Sequence, residues 1–283
     1  MTDMSKNSDR TEADRILHDR ISGELALKDQ LPAQRLARKL RLSQTFQNTK
    51  AHMSSILEIG CGAGFAAEYL NGTYKTYTGI DHSDQLIAAA SELHLASGVT
   101  FQVADISTYE PQTQFDSAFL IGVLHHLDDP VGGMRRISQF VRSGGYVLAN
   151  EPQPGNPLIK WARALRKKTD DNYSSDQVEF TATQLAAVYQ EAGLIDIKIT
   201  PQGFFSTPFA EVTMPLQPIM APLSKFACGL DRLIERLPGV MTWGKWLSWN
   251  FVVSGRAPLI LDEVDFNEHY ELRLNNPRLR SEV

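Results

Sequence analysis

Residues 56–65 read Ile56-Leu57-Glu58-Ile59-Gly60-Cys61-Gly62-Ala63-Gly64-Phe65, an apolar run that stops at three alternating glycines and resumes as a helical pattern. That order spells strand, tight turn, helix. Glycine lets a backbone turn with positive φ or touch a ligand, because no Cβ stands in the way. Three such residues in five positions at a strand end predict a turn whose backbone faces something bound. A strand-to-helix turn with no ligand is the plainer alternative.

Outward from this turn the chain alternates strand and helix. The first strand begins near His52, and after the turn a helix runs through Ala66, Ala67 and Leu70 to a stop at Asn71-Gly72. The second strand, Thr76 to Ile80, ends at Asp81, seventeen residues past Gly64. In a doubly wound sheet an acid placed there accepts both hydrogen bonds of a ribose diol. Asp81 and Ser83 also precede the helical pattern Leu86, Ile87, Ala90, so one can bind while the other caps. The third strand, Thr100 to Val103, leads into Asp105 and Ile106, where an acceptor for an adenine amino group would stand. Glu58, Asp81 and Asp105 thus mark the exits of three successive strands, where open α/β sheets collect ligands. The fourth strand, Phe115 to Ile121, enters Gly122-Val123-Leu124-His125-His126-Leu127. A helix through Met134, Ile137 and Val141, then Ser143-Gly144-Gly145, precedes the fifth strand, Tyr146 to Ala149.

A dinucleotide fingerprint needs its third glycine at the position of Phe65, one residue later than Gly64. Glu58 followed by Gly60, Gly62 and Gly64 instead resembles motif I of the class I S-adenosylmethionine-dependent methyltransferases. The His125-His126-Leu127 stretch and Gly144-Gly145 before the fifth strand are similar to that family's small-molecule branch, and the resemblance spans about residues 52–200. It implies an α/β fold: a doubly wound, Rossmann-like, seven-stranded, mostly parallel sheet with helices on both faces. Ile195 to Ile199 would be its sixth strand and Trp249 to Ser254 its final antiparallel one. It also implies S-adenosyl-L-methionine as cofactor. Glu58, Gly60 and Gly62 would serve the methionine portion, Asp81 the ribose, and Asp105 with Ile106 the adenine. Cys61, Gly64, His82 and Ile121 complete the implied binding set. The Asn/Asp-Pro-Pro-aromatic motif of the nucleic-acid and protein-amide branch is missing between Ile121 and Leu124, which disfavours nucleic acid as substrate.

Methyl transfer from a sulfonium is an in-line displacement, and positioning alone can supply about 7 to 11 kcal/mol. For a hydroxyl acceptor a placed histidine adds about 10² to 10⁴-fold. His125 or His126 is the candidate base, with Glu151 second; alternatively the histidines only bond and cap the turn. Adjacent histidines do not make a metal site on one helix face, and none is expected. The expected acceptor is a small apolar or amphiphilic metabolite, methylated on oxygen by preference, with carbon and nitrogen open. Two rival classes are an NAD(P)-dependent Rossmann oxidoreductase and a catalytically inactive methyltransferase-like partner protein. The first lacks the glycine spacing and any tyrosine with a lysine four residues on.

Composition bounds the rest. With 283 residues, 42% of them hydrophobic, the chain can bury one α/β core with attachments. A formal charge of −5 offers no net attraction for a polyanion. Cys61 and Cys228 make no disulfide framework, which fits a reducing, cytoplasmic setting, and no apolar run suggests a transmembrane segment. A homodimer stays open. Four regions are expected: a tail and helical cap over 1–50, the core over 51–200, a helical insertion over 201–247, and a last strand with tail over 248–283. In the cap, Ile16, Leu17, Ile21 and Leu25 mark one helix, and a second puts Leu36 and Leu40 inward with Arg35, Arg38, Lys39 and Arg41 exposed. Asn150 to Pro157 is too proline-rich for regular structure, and 158–168 is helical. In the insertion, Ile219, Leu223, Phe226, Ala227, Leu230, Leu233, Ile234 and Leu237 form a stripe regular enough to demand burial. The loop Gly203 to Phe209 either lines an apolar pocket or packs under that helix.

Overall fold

The computed structural model describes residues 30–47, 53–94, 96–156 and 179–259, with separate positions between 16 and 28. The strands are β1 (Ser55–Ile59), β2 (Thr76–Asp81), β3 (Val99–Val103), β4 (Phe115–Ile121), β5 (Val141–Pro152), β6 (Ile195–Gln202) and β7 (Asn250–Arg256). They form one seven-stranded sheet in the order β3-β2-β1-β4-β5-β7-β6. β7 runs antiparallel to β5 and β6, and the other pairs are parallel. The strand order reverses its direction of growth between β1 and β4, which opens a crevice at their carboxyl ends.

Helices cover both faces because the strands are apolar on both. In β4, Ala118 and Leu120 pack with Met134 and Ile137 of α4 (Pro130–Phe140) and with Leu185 and Tyr189 of α5 (Ala182–Glu191). Phe119, between them, points the other way, toward Leu42 of α1 (Pro32–Gln47) and Ala66 and Ala67 of α2 (Phe65–Tyr69). Helix starts follow local chemistry. Ser83 caps α3 (Asp84–Leu93) by accepting from Leu86 N at 3.3 Å, Asp129 caps α4, and Thr181 forms a capping box with Gln184.

Four expectations need correction. β5 continues through Asn150 and Glu151 to Pro152, because β7, a hundred residues later, pairs with it up to Asn250 opposite Pro152. β6 likewise runs to Gln202 past Pro201, which is tolerated on an edge strand. On α1 the basic row is half-buried: Arg38 lies over the Phe65 ring at 5.3 Å, Lys39 over Tyr69 at 5.8 Å, and Arg41 pairs with Glu211, while Leu36 is exposed. The fourth concerns α7 (Gln217–Ile234), which follows the short α6 (Thr207–Glu211). Its inward residues are Ser224, Ala227, Cys228 and Asp231, and most of the apolar stripe faces outward, with Phe226 66% and Leu233 60% exposed. Small side chains let α7 lie close to Ala37 of α1, where Ser224 Oγ donates to Ala33 O at 2.7 Å. Asp231 accepts from the amides of Phe204, Phe205 and Ser206 at 3.2, 2.8 and 3.1 Å, and from Ser206 Oγ at 2.6 Å. Of the aromatic loop, Phe204 and Phe209 pack inward and Phe205 is exposed. The pattern at Ile16 to Leu25 falls mostly outside the described residues, and the 158–168 helix and the tail from Leu261 lie wholly outside them.

Buried amides join these added elements to the sheet. Asn150 Nδ2 donates to Thr45 Oγ1 and Gln202 Oε1, both at 3.2 Å, and Asn250 Nδ2 donates to Asn150 Oδ1 at 2.9 Å. Gln202 Nε2 donates to Gln44 Oε1 at 2.6 Å, and Gln44 Nε2 donates to the Glu235 carboxylate. Both α1 and the end of α7 are thereby fastened at the carboxyl ends of β5 and β6.

Phe119 is fully buried with its ring edge-on to Phe46, centroids 5.1 Å apart. Phe119→Ala should cost about 3–5 kcal/mol in urea unfolding; a loss below about 1 kcal/mol would mean that the α1 face of the sheet is not packed. Burial, assisted by Asp231 and opposed by Arg232, raises the Glu235 carboxyl from 4.5 to about 7. The folded state then keeps a proton that the unfolded chain has released, so stability declines as pH rises from about 4.5 to about 7. Glu235→Gln keeps an acceptor without the charge, and its unfolding free energy should fall less than that of the wild type over this range. Parallel pH profiles for the two proteins would refute the argument.

Candidate active site

The turn between β1 and α2 is held by backbone and by absent side chains. Gly60, Gly62 and Gly64 have φ of +70, +53 and +82°, and the amides of Gly60 and Cys61 donate to Ile80 O at 2.8 and 3.1 Å. A Cβ on Gly60 would stand 2.4 Å from Val123 Cγ2, and one on Gly64 2.8 Å from the Phe101 ring. A Cβ on Gly62 would meet nothing within 4 Å. The outer glycines are therefore required by packing, and the middle one by its φ, with open space in front of it.

Asp81 braces this turn. Its Oδ2 accepts from Gly62 N at 2.9 Å and its Oδ1 from Ser83 N at 3.0 Å. Ser83 is the helix cap, so the two acceptors of the β2 exit are divided between two tasks. Glu58 is buried on β1 and accepts from the Tyr77 hydroxyl. Burial pushes the Cys61 thiol well above its ordinary value, and the Glu58 and Asp81 carboxylates push it further. Cys61 is thus a neutral packing residue, and the same carboxylates make the turn a place that favours a cation.

At the β3 exit, Asp105 Oδ1 accepts from Ser107 N at 2.7 Å and from its hydroxyl at 2.6 Å. Ile106 is half-buried against the core, and Arg136 of α4 donates to Ile106 O at 2.7 Å and Tyr109 O at 2.8 Å. Arg136 was not singled out in the sequence: it is one arginine of an amphipathic helix, and only the return of α4 beside the β3 loop gives it a task. His82 is half-buried between Asp81 and Ser83, and half-buried Ile121 ends β4.

At the β4 exit the chain makes a tight 3₁₀ turn, Leu124–His126. Glu151, fully buried on β5, accepts from Val123 N at 3.1 Å, Leu124 N at 2.9 Å, His125 N at 3.3 Å and His125 Nδ1 at 2.7 Å. A carboxylate on Nδ1 selects the tautomer with its basic lone pair on Nε2. His125 is 5% exposed, and half-buried His126 lies with its ring centroid 4.1 Å from that of His125. Val123, two residues before His125, is the side chain that lies against Gly60, so the β1 and β4 turns meet at the crevice. Glu58, the glycines, Asp81 and the His125–Glu151 pair are thus brought to one end of the sheet, and Asp105 to the next strand exit.

Residues 57–149 match the family described as a methyltransferase domain. A fatty-acid O-methyltransferase of Mycolicibacterium smegmatis is 30% identical over 113 residues, 39% of this chain and 41% of that protein. A ubiquinone biosynthesis O-methyltransferase of Aeromonas salmonicida is 28% identical over 148 residues, 50% of this chain and 62% of that protein. The chain therefore spans about half the length of these curated relatives. A solved S-adenosylmethionine-dependent methyltransferase from Thermotoga maritima superposes with a TM-score of 0.59 at 15% identity, over 86% of this chain and 99% of that one, which shows a shared fold. Residues 57–149 thus carry a methyltransferase domain, and the sheet around it has the fold of that solved S-adenosylmethionine-dependent methyltransferase.

Proposed function

We propose that this chain transfers a methyl group from S-adenosyl-L-methionine to a small apolar or amphiphilic acceptor, on oxygen by preference. The observation that carries the reading is the meeting of the β1 glycine turn with the β4 turn that bears His125. The O-methyltransferase relatives support oxygen as the acceptor atom. The residues suit the cofactor: the space before Gly62 would be filled by a side chain, and the carboxylates of Glu58 and Asp81 favour the positive charge of a sulfonium. When bound, that sulfonium supplies an electrophilic methyl group.

Gly60, Cys61, Gly62 and Gly64 form the backbone cradle, and Asp81, beside His82, offers its carboxylate at the β2 exit. Asp105, Ile106 and Ile121 border the far side. A hydroxyl acceptor loses its proton to His125 Nε2, and Glu151, already bonded to Nδ1, steadies the imidazolium that forms. With four donors on its two oxygens, Glu151 acts as a positioning residue for His125. His126 is the second candidate base. The regions 1–50 and 201–247 act together as a cover on the acceptor side, in keeping with the contacts of α1 with α7 and of both with the ends of β5 and β6. Asp19 and Ser22, bonded to Ser83 and Gln85, extend that contact to the β2 exit. Residues 51–200, the end of β6 at Pro201 and Gln202, and residues 248–256 supply the sheet.

Asp81→Ala removes the β2-exit carboxylate, and Gly62→Arg fills the open space. Each should abolish S-adenosylhomocysteine binding in calorimetry while the protein stays folded by circular dichroism. An unchanged affinity in either folded variant would exclude this site for the cofactor.

His125→Ala should lower turnover with a hydroxyl acceptor by about 10² to 10⁴-fold and leave cofactor affinity nearly intact. Glu151→Gln should weaken turnover while cofactor affinity stays nearly intact, because the neutral amide steadies the imidazolium less. If His125→Ala keeps wild-type turnover and His126→Ala loses it, the base is His126; if both keep it, positioning alone carries the reaction.

A further inference from the structure

Reversal of α7 leaves a continuous apolar face on the outside of the molecule. Ile219, Leu223, Phe226 and Leu233 recur at helical spacing opposite the buried Ser224, Cys228 and Asp231, and are 56, 47, 66 and 60% exposed. Scattered exposed apolar residues are ordinary, but a run over four helical turns is a mark of an interaction surface.

Charge decides what the face meets. Lys225, Arg232 and Arg236 are all exposed and follow one another along one flank of the stripe. The acids of this helix lie elsewhere: Asp231 is buried under the 204–206 loop, and Glu235 turns inward to Gln44. A protein of net charge −5 thus presents an apolar helix face whose exposed charges on the same helix and the turn after it are, among the described residues, Lys225, Arg232 and Arg236. The partner must be both apolar and anionic. An isologous second copy docked through the same stripe would bring two cationic rows into one interface, whereas the surface of an anionic bilayer offers acyl chains to the stripe and headgroups to the row.

We propose that the outward face of α7 binds the surface of anionic lipid bilayers, lying in the interface without spanning it. Among the described residues no helix is long and apolar enough to cross a membrane, which leaves an in-plane seat. The seat is independent of the methyl-transfer reading, since none of its residues belongs to the crevice.

The test is flotation of the full chain with phosphatidylcholine vesicles, with and without about one third phosphatidylglycerol. Binding should be at least about tenfold stronger with the anionic lipid and should weaken as salt rises. Two double variants separate the contributions: Phe226→Ser with Leu233→Ser, and Lys225→Glu with Arg236→Glu. Each should reduce binding about tenfold or more with an unchanged melting temperature, because the four side chains are exposed. Wild-type protein that fails to float, or variants that float equally well, would overturn the proposal. So would a dimer in sedimentation velocity that Phe226→Ser with Leu233→Ser converts to monomer, since the face would then belong to a second copy.

Discussion

A carboxylate with no exposure to water must find its hydrogen bonds inside the protein, and Glu151 finds four. Three are backbone amides of the turn that leaves β4, groups that would otherwise be stranded where a strand ends and no ladder continues. The fourth is the His125 ring. One buried charge therefore closes the β4 turn, aims the imidazole and ties β5 to β4 beyond their last ladder pair, Ile121 with Asn150. Because Val123 of that turn abuts Gly60, the shape of the glycine turn depends on Glu151 as well.

The same economy of buried polar groups organises the outer layer. Asp231 satisfies the amides of the 204–206 loop, and Asn150, Asn250, Gln202 and Gln44 pass hydrogen bonds from the sheet to α1. Such networks are directional, and a helix held by them has a set position over the strand ends. An apolar contact would hold α7 with less angular specificity. Here the polar side of α7 took the inward place, and the apolar side was left to solvent or to a partner.

The fold was legible because its signals are local. Continuous apolar strands, glycine stops and a cap such as Ser83 need only a few neighbouring residues to take effect, and the alternation of strand with helix leaves few topologies open. The candidate site was legible for a related reason: strand exits in a doubly wound sheet converge, so residues 58, 81, 105 and 125 could be assembled from their positions in strands alone. The role of Glu151 was legible only in part. Its place at the β5 exit put it near the histidines, but its engagement with three amides depends on how tightly the β4 turn curls.

By itself, then, the sequence determined the sheet, its helices and the end of the sheet at which ligands gather, since hydrophobic periodicity and turn chemistry act at short range. Tertiary structure alone decided the continuation of β5 past Ala149 to Pro152, the seating of the basic row of α1 on Phe65 and Tyr69, and the inward face of α7. Each of these depends on a partner distant in the chain: β7 for β5, α2 for α1, and the Phe204 amide with Ala33 for α7. A helical stripe shows which side of a helix is apolar. Which side is buried depends on what the opposing surface can satisfy, and for α7 that surface offered the 204–206 amides to an aspartate and the Ala33 carbonyl, beside small side chains, to a serine.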